Sequence, residues 1–224
     1  MMDGSPLRFL VIGCGRFGSR AVRRILDRNQ RAIIEVVDLN PSALEAVKSR
    51  NVVRVCANGV DYFAERMSVG ESPRWIIPAI PIHVVYHWVM RTLEKKYTAD
   101  RLIVPEAIRF PGEVRLTGWE VYSSLADFLC PEDCPGPRGG RCHRSGQHRE
   151  QTLYRILENI RFGEFVSRVV RSRQLSPGVG GIRCSDLHGL PEEVASVRRP
   201  VLLSTASPCH GITAALRVTG VLDK

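Results

Sequence analysis

The sequence predicts an α/β protein whose first half is a doubly wound parallel sheet. Three observations carry that expectation. Short apolar runs alternate with amphipathic stretches from residue 7 to residue 104, a glycine-rich turn follows the first run, and an aspartate closes the second. Alternation of this kind places helices on both faces of a sheet and gathers ligands at the carboxyl ends of its strands.

Residues 7–12 (LRFLVI) form the first expected strand. A helix follows, with Ala21, Val22, Ile25 and Leu26 turned inward and Arg20, Arg24 and Arg28 on the opposite face, which reads as solvated charge. Residues 32–37 give a second strand ending at Asp38, and 41–50 a short helix. Strands at 52–56, 75–80 and 101–104 then alternate with helices at 61–67 and 82–95.

Between the first strand and the first helix stands Gly13-Cys14-Gly15-Arg16-Phe17-Gly18. Gly13 permits a tight turn, Gly15 lets backbone N–H groups reach a pyrophosphate, and Gly18 lets the helix pack close to the strand. The helix N-terminus adds partial positive charge. Asp38, twenty residues beyond Gly18, stands where a ribose-binding acid belongs, and its carboxylate favours NAD over NADP. Gly13, Gly15, Arg16, Phe17, Gly18 and Asp38 are thus the candidate cofactor-binding residues.

The stretch VIGCGRFGSRAVRRIL…IIEVVDLNPSALEAV resembles the Rossmann-type NAD-binding domains of dehydrogenases. Its GRFG turn and DLNP strand end are especially similar to TrkA-type potassium-uptake regulators. The resemblance covers about the first hundred residues and implies a fold and a cofactor, NAD(H). Enzymes and ligand-sensing gates both use this domain, so the resemblance does not choose between them.

After Pro105 the pattern changes, which divides the chain into an NAD-binding region, 1–105, and a cysteine-rich α/β region, 106–224. The second is either a separate domain or an extension of the first sheet. Strand or hairpin material is expected at 113–129, helices at 151–160 and 186–196, strands at 166–170 and 201–204, and a final helix at 210–218. The loop at 176–181 (SPGVGG) reads as a flexible connection or as a backbone cradle for an anion.

Seven cysteines include the cluster Cys130-Pro-Glu-Asp-Cys134-Pro, followed by Cys142. Thiolates in a proline-braced loop suit a thiophilic metal, either zinc or an iron–sulfur cluster. Cys209, expected at a helix N-terminus that would favour its thiolate, is the fourth candidate ligand. His143, His148 and His210 are its substitutes. Cys14 and Cys56 read as packing residues, and Cys184 fits either role. The nearby Arg138, Arg141, Arg144 and Arg149 read as solvated charge.

The net charge of +9 is not collected in a tail, and no known nucleic-acid module accompanies it, so nucleic-acid binding is not expected. The apolar stretch at 75–90 contains two prolines and two histidines, which argues against a membrane span. No signal pattern is seen at the N-terminus, so a cytoplasmic protein is expected. GxSxG, Walker A and HExxH motifs are missing, which weakens hydrolase and kinase readings. His83 follows the fourth strand and is the candidate catalytic proton donor. Together these features predict an NAD(H)-binding redox protein with a cysteine-ligated centre, acting on a small molecule or a redox partner, as a monomer or homo-oligomer. The alternative is a non-enzymatic nucleotide sensor of the TrkA kind.

Overall fold

The computed structural model describes residues 6–69, 72–116 and 118–222. The first strands are β1 (Arg8–Ile12), β2 (Ile33–Asp38), β3 (Val52–Cys56) and β4 (Trp75–Pro78). Between them lie α1 (Arg16–Arg28), α2 (Pro41–Leu44) and α3 (Gly59–Ser68). Then follow α4 (Val84–Leu93), β5 (Tyr97–Leu102), β6 (Glu120–Ser124), α5 (Leu153–Glu158), β7 (Val166–Ser176) and β8 (Val179–Arg183). The chain closes with α6 (Leu190–Val197), β9 (Val201–Ala206) and β10 (His210–Val221).

Among the described residues, ten strands and six helices build one mixed α/β fold. The sheet runs β3–β2–β1–β4–β8–β7–β9–β10–β5, with β6 beside β10. β3, β2, β1 and β4 are parallel. β8 is antiparallel to both β4 and β7, while β7 and β9 are parallel. β10 is antiparallel to β9, β5 and β6. It follows that β8 and β10 alone, among the described strands, oppose the common direction. The second half therefore continues the first sheet through the β4–β8 pair.

Alternation along β1 sets the layers, because successive strand side chains face opposite ways. Leu10 and Ile12 join a core with Phe63 of α3, Trp88 and Val89 of α4 and Val194 of α6. Phe9 and Val11 face the other way, onto Val22 and Ile25 of α1. On that same side, farther along the sheet, Leu153 and Leu157 of α5 pack on Leu202 of β9. Asn58 opens α3 by accepting the N–H groups of Val60 and Asp61 at 2.9 and 3.1 Å, a cap that satisfies otherwise orphaned donors.

Several expectations are corrected. The predicted helix at 210–218 is strand β10. Its local run Ala214-Ala215-Leu216 is helix-like, but Ile212, Thr213, Val218 and Thr219 are β-branched, and neighbours on both sides supply ladder partners. The fifth strand begins earlier than predicted and pairs with β10 rather than extending the parallel run beside β4. The 166–170 strand runs on to Ser176, and the supposed loop at 176–181 is a tight turn that enters β8. Of the strand material at 113–129, β6 forms and Val114 bridges Tyr122; Thr117 lies outside the described residues. Among the described residues, no helix is long and apolar enough to cross a membrane.

Candidate functional site

The glycine turn connects β1 to α1. Gly13 has φ +98°, where a side chain is strained, and a Cβ there would lie 2.6 Å from Ile80 Cγ2. A Cβ on Gly18 would lie 1.9 Å from the Gly13 carbonyl oxygen, so the helix meets the turn with no room for a methyl group. Gly15 is different: nothing stands within 4 Å of its Cβ position. It is the N-cap of α1 and no side chain caps the helix, which leaves first-turn N–H groups open to an anion.

Asp38 ends β2 beside this turn. Its Oδ2 accepts the Cys14 N–H at 2.6 Å, and its Oδ1 accepts the Asn40 N–H at 2.8 Å. A carboxylate has about four acceptor positions, so two backbone bonds orient it without exhausting it. Cys14 is buried and points its thiol at the Ala43 carbonyl, a packing role as expected. Cys56, by contrast, is exposed at the end of the edge strand β3.

The face of α1 read as solvated charge instead fastens the second half of the chain. Arg28 Nη1 donates to the Leu175 carbonyl at 2.8 Å, and Arg24 donates to the carbonyl of Pro177. Arg20 donates to the Glu132 carbonyl at 3.2 Å and pairs with the Glu132 carboxylate, which also meets Arg16. The partner carbonyls belong to a hairpin and a loop far away in sequence, so periodicity could not reveal them.

These contacts bring the cysteine loop to the carboxyl ends of β1, β7 and β9. A cavity of about 480 Å³ opens there. Arg16 and Phe17 line it from the glycine turn, and Cys130, Cys134, Cys142 and Cys209 line it from three separate segments. His143 and His210 share the cavity; His148 does not line it and instead bridges Arg141. The four cysteines singled out by sequence thus meet in one place. Among the described residues, however, no group of three or more His, Cys, Asp or Glu side chains is set around one point as metal ligands.

Hydrogen bonds hold this loop. Gly178 N donates to the Cys134 carbonyl at 2.8 Å, and Gln174 Nε2 donates to the same oxygen at 3.0 Å. Cys142 sits in a turn closed by its own N–H to the Gln147 carbonyl and by Gly146 N–H to the Cys142 carbonyl, each 2.9 Å. Peptide N–H groups also point at sulfur: Gly136 N lies 3.4 Å from Cys134 Sγ. At Cys142, the backbone N–H of Ser145 is the leading cause of a thiol brought down to about 7.

Cys209 occupies the turn between β9 and β10, not a helix N-terminus, so no helix dipole favours its thiolate. Burial is the main influence, and it raises the thiol above its ordinary value. Burial likewise raises Cys130. Cys184 lies elsewhere, buried with its sulfur 3.2 Å from Met67 Sδ.

Arg149, grouped by sequence with solvated arginines, is the residue that reading missed. Nε, Nη1 and Nη2 of its guanidinium are all out of solvent and meet no oxygen or nitrogen acceptor among the described residues. It lines the cavity and lies within electrostatic reach of Cys130 and Cys209. Its charge gives no hint of burial in the sequence, because three neighbouring arginines share the same composition and are exposed or nearly so.

His83 is placed away from this cavity. It is 1% exposed at the start of α4, with Nε2 3.0 Å from Thr205 Oγ1 and its backbone N–H donated to Glu120 Oε1 at 3.1 Å. Burial, with His87 nearby, brings its pKa down to about 3 and keeps the ring neutral. This is the setting of a core histidine, and it places the residue expected from sequence as a proton donor outside the cavity beside the glycine turn.

The fold and cavity define a mixed α/β protein with an arginine- and cysteine-lined site beside a glycine turn. The chain belongs to the AF_1314_C family, whose model is described as "Uncharacterized protein, C-terminal domain" and matches residues 85–219. That span runs from α4 into β10 and contains the four cavity cysteines and Arg149. The chain is also similar to an "Uncharacterized protein" of Archaeoglobus fulgidus. The two are 25% identical over 225 residues, which covers 93% of this chain and 98% of the relative.

Proposed function

We propose that the protein is a cytoplasmic NAD(H)-binding oxidoreductase built on a Rossmann-like doubly wound core. One observation carries this reading: Arg16 and Phe17 of the glycine turn share a cavity with Cys130, Cys134, Cys142 and Cys209. A nucleotide bound at the turn would present its reactive end toward the carboxyl edge of the sheet, where α/β proteins hold their ligands.

Further support comes from the parallel order β3–β2–β1–β4, which is the arrangement of a mononucleotide-binding half. The open N-terminus of α1 and the Arg16 guanidinium suit a pyrophosphate. Asp38 suits the adenosine ribose hydroxyls, which donate hydrogen bonds to a carboxylate. NADH held by Gly13, Gly15, Gly18, Arg16 and Asp38 would supply hydride for a small electrophilic substrate in the cavity, with a proton from solvent completing the reduced product and NAD+ as the co-product. The cysteine cavity distinguishes this reading from a TrkA-like sensor, which needs no thiol site.

The test is titration of the purified chain with NADH and NADPH, followed by nicotinamide fluorescence. NADH should bind more tightly than NADPH, and screening of small carbonyl compounds should reveal NADH consumption. Binding that changes oligomeric state without any turnover would favour the sensor. Failure of both nucleotides to bind would overturn the assignment.

A further inference from the structure

The cavity beside the glycine turn contains a buried cation whose counter-charge is not an oxygen. A guanidinium removed from water is costly unless an anion compensates it. Arg149 lies within electrostatic reach of Cys130, Cys142 and Cys209, and of His210, whose ring offers it no negative charge; thiols as such are neutral. None of the seven cysteines forms a disulfide, so four sulfurs remain available as thiolates.

We propose that Cys130, Cys134, Cys142 and Cys209 together bind a thiophilic metal centre, a zinc ion or an iron–sulfur cluster, with Arg149 as its buried counter-cation. The site is located by the cavity described above but does not depend on nucleotide binding. Four thiolates around a divalent ion leave two negative charges, and one arginine offsets half of that excess. Each thiol releases its proton on binding, and no electron moves in the assembly of a zinc site.

Geometry supports the placement. The backbone on each side of the cavity is pinned by bonds that do not involve the sulfurs. Cys134 is held through its carbonyl by Gly178 and Gln174, and Cys142 by its turn with Gln147 and Gly146. Cys209 is fixed where its N–H meets Ser207 Oγ at 3.2 Å and its carbonyl accepts the Leu125 N–H at 2.9 Å. The Gly136 N–H is aimed at Cys134 Sγ from 3.4 Å, which sets a backbone donor beside that sulfur. The sulfurs ring the cavity without converging on one point, so metal binding draws the side chains inward from anchored backbone. The prolines after Cys130 and Cys134 limit how far the loop itself can yield.

The test uses the full chain purified without air, with metal content, absorption and free thiols measured on one preparation. One zinc per chain without colour, or iron with inorganic sulfide and a brown chromophore, is the expected result. The two outcomes distinguish the two forms of the site. Thiol labelling of the folded protein should find the four cavity cysteines protected and release them on treatment with a chelator. Cys134→Ala and Cys209→Ala should each lower bound metal at least tenfold. Arg149→Gln should retain the ligands but lose metal to a chelator faster than the parent. A folded chain that contains no metal and acquires none from zinc, or from iron and sulfide, overturns the proposal. Full metal retention in both cysteine variants overturns it as well. NADH titration of the same samples separates the two readings, because metal without nucleotide binding removes only the oxidoreductase assignment.

Discussion

The backbone N–H of Cys14 donates to Oδ2 of Asp38 across 2.6 Å, joining the glycine turn to the end of the adjacent strand. The bond fixes the carboxylate at the mouth of the turn while the Asn40 N–H holds its other oxygen at 2.8 Å. Asp38→Asn keeps the shape and removes the charge. A hydrogen bond to a charged group is worth about 1.5–3 kcal/mol. NADH affinity should therefore fall by roughly ten- to a hundredfold. NADPH should suffer less, since the lost carboxylate also repels its phosphate. Equal losses for both nucleotides, measured by fluorescence titration, would remove Asp38 from the ribose site.

Gly15 and Gly18 should separate binding from folding. The Cβ position of Gly15 is open, and its φ of −67° suits any residue, so Gly15→Val should leave the melting temperature nearly unchanged. The same side chain would stand where a pyrophosphate must approach and should abolish NADH binding. Gly18→Ala instead drives a methyl group into the Gly13 carbonyl. Overpacking of this kind costs about 1–3 kcal/mol, which thermal or denaturant unfolding will register.

Arg24 and Arg28 should act as tethers between α1 and the β7–β8 hairpin. Arg28→Ala removes the 2.8 Å bond to the Leu175 carbonyl, and Arg24→Ala the bond to Pro177. The double variant should show faster amide hydrogen exchange across 175–180 and a lower melting temperature. Each charged bond contributes about 1.5–3 kcal/mol. Unchanged exchange would return this helix face to the solvent.

His83 gives the fold a defined acid sensitivity. Its folded-state pKa of about 3 lies below the ordinary value of 6.5, so the unfolded chain takes up a proton that the folded chain refuses. The stabilisation is complete above pH 6.5 and is lost as pH falls from there toward 3. Across that interval this one group lowers the folding equilibrium constant by about tenfold per pH unit. His83→Gln, which can still meet Thr205 Oγ1, should flatten the pH dependence of denaturant midpoints. An unaltered slope would show that other groups govern it.

Much of this arrangement is legible in the chain because local rules govern it. Glycine spacing, the two-faced apolar strands and the amphipathic first helix each depend on neighbours close in sequence, and the first four strands appear where those signals stand. The crowding of the cysteines and their flanking prolines likewise stand in the sequence itself. Strand β10 is not legible, since the helix-like run Ala214-Ala215-Leu216 yields to ladder partners on both sides. The burial of His83 is not legible for a related reason: its polar partners, Thr205 and Glu120, are remote in sequence.

Local sequence was therefore enough for the glycine turn, the strand–helix alternation that bears it and the choice of four cysteines that line one cavity. Long-range packing settled the rest. It made the arginines of α1 tethers, carried the cysteine loop to the mouth of the glycine turn and buried Arg149 among sulfurs. The physical reason is that a charge, a thiol or a turn has its local preference written in a few residues. Its solvation and its partners depend on groups remote in sequence, 112 to 153 residues away for the arginines of α1, which only the closed sheet brings within reach.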